Sequence, residues 1–378
     1  SVTLSWVFSD TFKVPDWFTF GKVRAAYASA SNGTEPYKNM LTYKLDDYTI
    51  NGQYNATVNN SEAPNLDLKP VRISEWDAGL NLEFFNTRLS FDMAYYTKNT
   101  KDDIAKLTTS SASGFTSKIM NVGEIRNSGF EFMVSGVPVH TADFNWNSTF
   151  NIAHNNSEVK YLGGANSLSI EGATARSGNV TVQNIVGKPY GELVGYKYKR
   201  VNGQIVYKDG IAQRTDNTEN LGSGVYKVTG GWRNDFTYKD WSLAFLVDFK
   251  FGAKLFSGTN YNLYSNGLHK NTLQGRDGDG TITGKGVMED ASGNYVQNTV
   301  AVTAQEYWQG IVSNNIAEEF IYNASFIKLR EVSLGYKFPQ SLLGNQKFVK
   351  DLFVSVVARN LWTIKKHTDN IDPESAYN

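Results

Sequence analysis

The chain contains no cysteine, which excludes a disulfide scaffold, a thiolate metal site and a thiol nucleophile. It has only four histidines, His140, His154, His269 and His367, and no two of them stand at metal-ligand spacing. An excess charge of either sign is also missing, because 37 Lys+Arg balance 37 Asp+Glu. A neutral chain lacks the electrostatic footprint of a nucleic-acid binder. No run approaches the roughly 18 apolar residues that a transmembrane helix needs. No sequence frames a serine as a nucleophile elbow, and the carboxylate pair Glu318 and Glu319 sits in a polar loop and reads as solvated surface. The sequence therefore presents no catalytic arrangement and no cofactor motif. What it does have is aromatic: 8 Trp, 21 Tyr and 22 Phe in a chain that is 40% hydrophobic, too apolar for disorder. Composition alone describes a neutral, soluble β protein, whose 378 residues would make two or three domains at about 150 residues each.

Period-two alternation changes that description. Over 241–250 one face carries Trp241, Leu243, Phe245, Val247 and Phe249, and the other carries Ser242, Asp248 and Lys250. The same alternation runs through 76–85, 88–98 and 144–153, and more weakly through 3–8, 21–29, 128–137, 226–239, 326–338 and 352–361. Helical spacing is nearly absent. Segments near ten residues exceed the five or six usual in soluble strands. Tilted about 45°, such strands cover roughly the 25 Å apolar band of an outer-membrane barrel. The apolar faces of the clearer strands carry no charge and end in aromatics (Trp76 and Phe84, Trp241 and Phe249), where an interfacial girdle would lie. The links alternate in length. Short ones at 9–20, 86–87, 138–143, 239–240 and 339–350 are interleaved with long ones at 30–71, 99–123, 155–225 and 252–325. In an up-and-down meander this puts tight periplasmic turns on one rim and long extracellular loops on the other. A soluble β-sandwich with elaborate loops would also have uncharged buried faces, but it does not account for long strands with alternating links.

Ordered sequence blocks resemble the SusC/RagA family of TonB-dependent outer-membrane transporters of Bacteroidetes-type bacteria. Gly187-Lys-Pro-Tyr-Gly-Glu-Leu-Val-Gly-Tyr is similar to the family's VGxPxGxxxGY segment, and Asn202-Gly-Gln-Ile-Val-Tyr follows it. The most specific block is Asn323-Ala-Ser-Phe-Ile-Lys-Leu-Arg-Glu-Val-Ser-Leu-Gly-Tyr-Lys-Phe-Pro, where Asn323 replaces the family's usual Asp. Ala358-Arg-Asn-Leu-Trp-Thr and Ile371-Asp-Pro-Glu resemble GRNLxT and xDPE, while Ile73-Ser-Glu-Trp-Asp-Ala-Gly-Leu and Val122-Gly-Glu-Ile-Arg-Asn-Ser-Gly fit its barrel-strand blocks.

The resemblance implies an all-β fold, a transmembrane antiparallel up-and-down β-barrel of 22 strands. Residues 1–378 would be the C-terminal portion of that single domain, with the plug domain, the TonB box and the final strand outside this chain. It also implies import of oligosaccharides or oligopeptides, driven by TonB through the plug, with a SusD-like surface lipoprotein capping the loops and outer-membrane lipid around the strands. A dimer of SusC–SusD pairs is compatible with it. The competing readings are a passive outer-membrane pore and a soluble surface protein that binds or cleaves glycans.

Within that reading the long-loop aromatics carry ligand binding. Tyr261, Tyr264, Arg276, Asp277 and Trp308 are the expected substrate-binding residues, among further loop aromatics at Tyr295, Tyr307 and Tyr322. Rings that stack on a sugar face beside polar groups suit a glycan or another polar oligomer. Packing of the loops against one another, or against the lipoprotein, would use the same rings. Asp277 and Asp279 before Gly280, with Glu289 twelve residues after Asp277, resemble part of a calcium loop, but the glycine comes too early to leave room for a third oxygen ligand, so a turn is expected and no metal. Lys328, Arg330 and Glu331 are expected to form an ion cluster near the rim. Asn145, Asn147, Asn151, Arg233, Asp235, Asp248 and Arg359 are expected to line a hydrated lumen.

Overall fold

The computed structural model describes residues 1–34, 36–58, 61–174, 179–343, 349 and 351–375, and it divides into two compact units. The first comprises Ser1–His140, Asn147–Glu171 and Asn184–Tyr190; the second comprises Thr141–Trp146, Gly172–Gln183 and Gly191–Asn378. No helix among the described residues is long and apolar enough to cross a membrane.

Long antiparallel strands dominate the first unit: β1 (Val2–Val7), β2 (Phe18–Asn32), β3 (Val71–Phe84), β4 (Leu89–Thr108), β5 (Ser117–His140) and most of β6 (Phe144–Leu162). They are hydrogen-bonded in chain order, as a meander requires. Register sorts their side chains into two faces. Val23 lies opposite Leu80, which lies opposite Met93, which lies opposite Phe132, so one face is continuously apolar across four strands. Its far ends are aromatic. Tyr27 packs on Trp76 with ring centroids 4.7 Å apart, and Trp17 and Phe18 close on Phe84 beside the short link after β3. Trp76 is 59% exposed, as a ring facing lipid would be.

The opposite face carries paired charge. Arg24 donates to Asn81 Oδ1 at 2.7 Å and to Asp92 Oδ1 at 3.0 Å, with Asp77 at 3.9 Å. Gly79 leaves the space for this guanidinium, since a Cβ there would come within 2.4 Å of Arg24 Nε. In a barrel these charges face a wet lumen, and none stands among the lipid-facing residues.

One expected link is much shorter than the alternation suggested: the loop placed at 99–123 shrinks to the residues between Thr108 and Ser117. The long link expected from 155 starts later, because β6 runs on to Leu162, and it remains long. The ladder continues through Lys98↔Asn127 and Lys101↔Glu124, where neither face is apolar. Alternation marks the stretch that must contact lipid, whereas the strand itself extends beyond that stretch into water.

The second unit contains β7 (Val228–Tyr238), β8 (Trp241–Phe251), β9 (Phe326–Phe338) and β10 (Leu352–Lys366), again hydrogen-bonded in chain order. Trp241 lies opposite both Tyr238 and Tyr336, and Leu243 lies opposite Phe236 and Leu334. The Trp241 and Tyr336 rings are 4.7 Å apart, an aromatic row at the short-turn end. One polar residue shares this apolar face. Asn234 is 1% exposed beneath Trp146, whose indole N–H it accepts at 2.9 Å.

Beyond these strands the unit carries a loop body with its own apolar core, built from Tyr198, Tyr207, Phe256, Tyr264, Trp308, Ile311, Ile316 and Phe320. Small strands frame it, including Glu192–Gly195 against Glu219–Ser223, and Gln204–Lys208 parallel to Val287–Glu289. Two helices complete it, against the expectation that helical spacing is nearly absent. Helix α1 (Gly258–Ser265) starts at Ser257, whose side chain accepts the Asn260 N–H. Helix α2 (Ala304–Ser313) starts with a reciprocal Thr303–Glu306 capping box and buries Ala304, Trp308, Ile311 and Val312 along one stripe. Both are only two or three turns long, too short to stand out within a long loop.

Candidate functional site in the loop body

The loop body presents a pocket of about 290 Å³ whose walls include Tyr264, Asn266, Thr272, Arg276, Gln305 and Trp308. Three of the five expected binding residues, Tyr264, Arg276 and Trp308, thus come together. Helix α1 places Tyr264 in its last turn, and α2 places Trp308 one turn from its start. Their rings meet edge to face at 5.5 Å. Both are largely buried, Tyr264 at 1% and Trp308 at 9% exposed, so they form the pocket's back wall rather than open platforms.

Hydrogen bonds fix both rings. Trp308 Nε1 donates to the Gln274 carbonyl at 3.2 Å. Tyr264 donates its hydroxyl to Glu319 Oε1 at 2.9 Å and accepts from Asn271 Nδ2 at 2.8 Å. Glu319 Oε2 accepts the Tyr198 hydroxyl at 2.9 Å. Burial, reinforced by the Glu319 charge, pushes both phenols well above the ordinary tyrosine range, so they remain donors at any physiological pH. Glu318 accepts from the Tyr198 N–H at 2.9 Å and from Arg200 at 2.8 Å. The carboxylate pair expected to be solvated surface is therefore a structural link, made because its acceptors reach two buried phenols distant in sequence.

Tyr261 and Asp277 stand apart from this pocket. The half-buried Tyr261 packs its ring on Phe320 at 5.3 Å, against the core, and Asp277 is exposed in the turn that follows Arg276. In that turn Asp279 accepts the Thr281 N–H at 3.0 Å, which holds its carboxyl below the usual range. Among the described residues no group of three or more His, Asp or Glu side chains could hold a metal ion. A second, larger pocket of about 560 Å³ was not anticipated. Its walls include Lys199, Tyr207, Lys208, Arg214, Glu289 and Tyr295, and of these Tyr295 stood out in the sequence as a loop aromatic and Glu289 as the outlying acid of the calcium-like motif.

His269 packs against the Tyr264 ring. It is 2% exposed, 4.7 Å from the Tyr264 ring, and its Nδ1 accepts the Asn271 N–H at 3.1 Å. Burial lowers its pKa below the ordinary histidine value. Nearby, Asp369 pairs with Lys270 at 2.6 Å, and its carbonyl accepts from Asn260 at 3.0 Å. The residues that follow β10 thereby lie against α1.

The expected ion cluster is present with a changed membership. Lys328 and Arg330 meet Asp372, Glu374 and Asp248, while Glu331 pairs instead with Arg359 at 3.0 Å. Glu331 lies opposite Arg359 in the ladder, which brings these two side chains onto the same face.

Comparison with known proteins agrees with this architecture. The family model described as TonB dependent receptor-like, beta-barrel, matches residues 1–198. TonB-dependent receptor P3 of Formosa agariphila is 24% identical over 382 residues, covering 95% of this chain and 36% of that protein. TonB-dependent receptor SusC of Bacteroides thetaiotaomicron is 26% identical over 352 residues, covering 86% of this chain and 33% of that protein. The solved RagAB peptide importer in its closed-closed state shares the fold, with a TM-score of 0.76 at 22% identity, over 99% of this chain and 40% of that one. The chain thus spans 33% to 40% of the length of these relatives. They are receptors and transporters rather than enzymes. The matched region is 198 of 378 residues, more than half, so the chain belongs to the TonB-dependent receptor-like β-barrel family, and with it to the outer membrane.

Proposed function

We propose that this chain is the C-terminal portion of the single barrel of a SusC-like importer. The complete protein takes up oligosaccharides or oligopeptides across the outer membrane, energised by TonB through a plug segment. A SusD-like surface lipoprotein works with it at the long-loop rim. The observation that carries this reading is the combination of strands apolar on one face with a loop body that has its own core and an open, polar-edged pocket. A passive pore needs the strands but has no use for a built ligand pocket on its loops. Tyr264, Arg276 and Trp308 hold the ligand at that pocket, and Tyr261 and Asp277 contribute to the surrounding surface. The likeness to SusC supports the transporter class.

The test is uptake by cells that carry the full transporter and its lipoprotein, with a panel of oligosaccharides and peptides. One class should support growth or accumulate, and deletion of TonB should abolish it. Uptake that continues without TonB would instead establish the passive pore. Within the same assay Trp308→Ala should reduce uptake of the ligand that supports growth.

A further inference from the structure

We propose that the Tyr264–Trp308 pocket takes an anionic group, a carboxylate or sulfate carried by the oligomer. The inference rests on the ligand-binding reading above and adds the charge of the ligand. Arg276 is the one charged residue among those lining the pocket. Its Nε donates to the Thr272 carbonyl at 2.8 Å, and Nη2 donates to Thr272 Oγ1 at 3.1 Å and to the Gly267 carbonyl. All three acceptors are neutral. Among the described residues no carboxylate pairs with this guanidinium, and no acceptor takes the two N–H groups of Nη1.

The chain has made room for this arrangement. Gly267 follows the C-cap of helix α1 with φ +66, a left-handed conformation, and a Cβ there would stand 2.7 Å from Arg276 Nη2. A guanidinium stays charged at every accessible pH and presents a planar fork that suits two oxygens of one anion. Here the fork is anchored on one edge and uncompensated on the other. Behind it the Trp308 and Tyr264 rings form an apolar wall, while Arg276 itself is exposed, so an arriving anion can reach the fork. Gln305 and Gln309 supply neutral polar atoms on the same wall, hydrogen-bonded to one another at 3.3 Å. A neutral sugar or apolar peptide would leave the guanidinium without its counter-charge.

The full-length transporter in detergent, titrated with matched probes, tests this. One pair is maltohexaose and maltohexaose oxidised to carry C6 carboxylates, with a sulfated maltohexaose beside them. The other pair is a glycine-rich hexapeptide with a central Asn and the same peptide with Asp. In at least one pair the anionic member should bind about tenfold more tightly or better, the gain of one charge-assisted hydrogen bond. The pair that responds identifies the source of the anion. Arg276→Gln should remove the difference, and Arg276→Lys, which keeps the charge without the fork, should retain part of it and serves if the Gln variant fails to fold. Equal affinities within both pairs, or an anion preference that survives Arg276→Gln, would overturn the inference. Trp308→Ala reports separately on the underlying reading: it should weaken every probe that binds, and unchanged binding would remove the pocket itself as the site.

Discussion

Lys328 places its ammonium 2.8 Å from Glu374 Oε2 and 2.8 and 2.9 Å from the two Asp372 oxygens. Arg330 reaches the same Glu374 oxygen at 2.5 Å and Asp248 at 2.8 Å, while Lys250 lies 3.3 Å from the other Glu374 oxygen. The segment after β10 is therefore strapped to β8 and β9 by a shared carboxylate. The Lys328 side chain is only 7% exposed, so its charge must be answered. Glu374→Gln keeps the shape and removes the charge. Lys328 retains Asp372, so the expected loss is about 1.5–3 kcal/mol, the scale of a charged hydrogen bond. In the full-length protein this should appear as faster protease cleavage within 367–375, and an unchanged cleavage rate would mean that the strap is held elsewhere.

Acid should loosen the loop body in two stages. Although burial alone would raise it, hydrogen bonds from Arg330 and Lys328 hold the Glu374 carboxyl down at about 2, below the usual value of about 4.3. A depressed carboxylate stabilises the fold fully above the unfolded value and loses that contribution as pH falls from about 4.3 toward 2. His269 is lowered by burial. The unfolded chain therefore takes up its proton first, and stability declines as pH drops below about 6.5. Tryptophan fluorescence melts of the full-length protein at pH 7, 5 and 3 should show both declines. Glu374→Gln should flatten the lower one and His269→Asn the upper.

Glu319 joins Tyr198 and Tyr264, which are 66 residues apart in sequence. Glu319→Ala leaves two buried hydroxyls without their acceptor and should cost about 1–3 kcal/mol for each. Tyr264→Phe leaves Glu319 its bond from Tyr198, so it should cost less than Glu319→Ala. Thermal melts of the two variants and of the Tyr198→Phe/Tyr264→Phe double variant decide this. If Glu319→Ala melts no lower than Tyr264→Phe, the carboxylate does not link the two rings.

The membrane face was legible in the sequence, and the loop body mostly was not. Lipid demands an apolar side chain at every second position, so Trp241, Leu243 and Phe245 announce their face without any knowledge of neighbouring strands. Nothing equally local announces the partners of Glu319, because the phenols it accepts come from Tyr198 and from helix α1. The exit of β4 into water was hidden for the opposite reason, since a solvated ladder such as Lys98↔Asn127 places no demand on side-chain polarity. Trp308 and Tyr264 were identifiable as loop aromatics. Their burial could not be foreseen, because it depends on α1 packing against α2 and against Phe320.

The chain has no cysteine, so single introduced thiols report orientation cleanly. Asp277→Cys, in an exposed turn of the loop body, should react with a membrane-impermeant maleimide added to intact cells. Asn86→Cys, in the short link between β3 and β4, should react only after the outer membrane is breached. Labelling of Asn86→Cys from outside would reverse the assigned topology.

Leu243 and Ser242 are neighbours on β8 that face opposite ways, and the barrel reading makes them unequal. Leu243 lies opposite Phe236 and Leu334 within the apolar face and is 41% exposed, while Ser242 lies opposite Thr237 and Gly335 on the other face. An arginine facing lipid costs about 2–4 kcal/mol at the midplane and less toward the interface. Leu243 is two residues from the Trp241 girdle, so Leu243→Arg should fall toward the lower end of that range. A lumen-facing arginine stays hydrated, so Ser242→Arg should be nearly neutral, provided its side chain clears Phe353 above Gly335. Chemical unfolding of the full-length barrel from detergent, followed by the gel shift between folded and unfolded forms, measures both. Equal losses for the two variants would mean that the face carrying Trp241, Leu243 and Phe245 does not meet lipid, and a soluble packing of these strands would take the place of the membrane assignment.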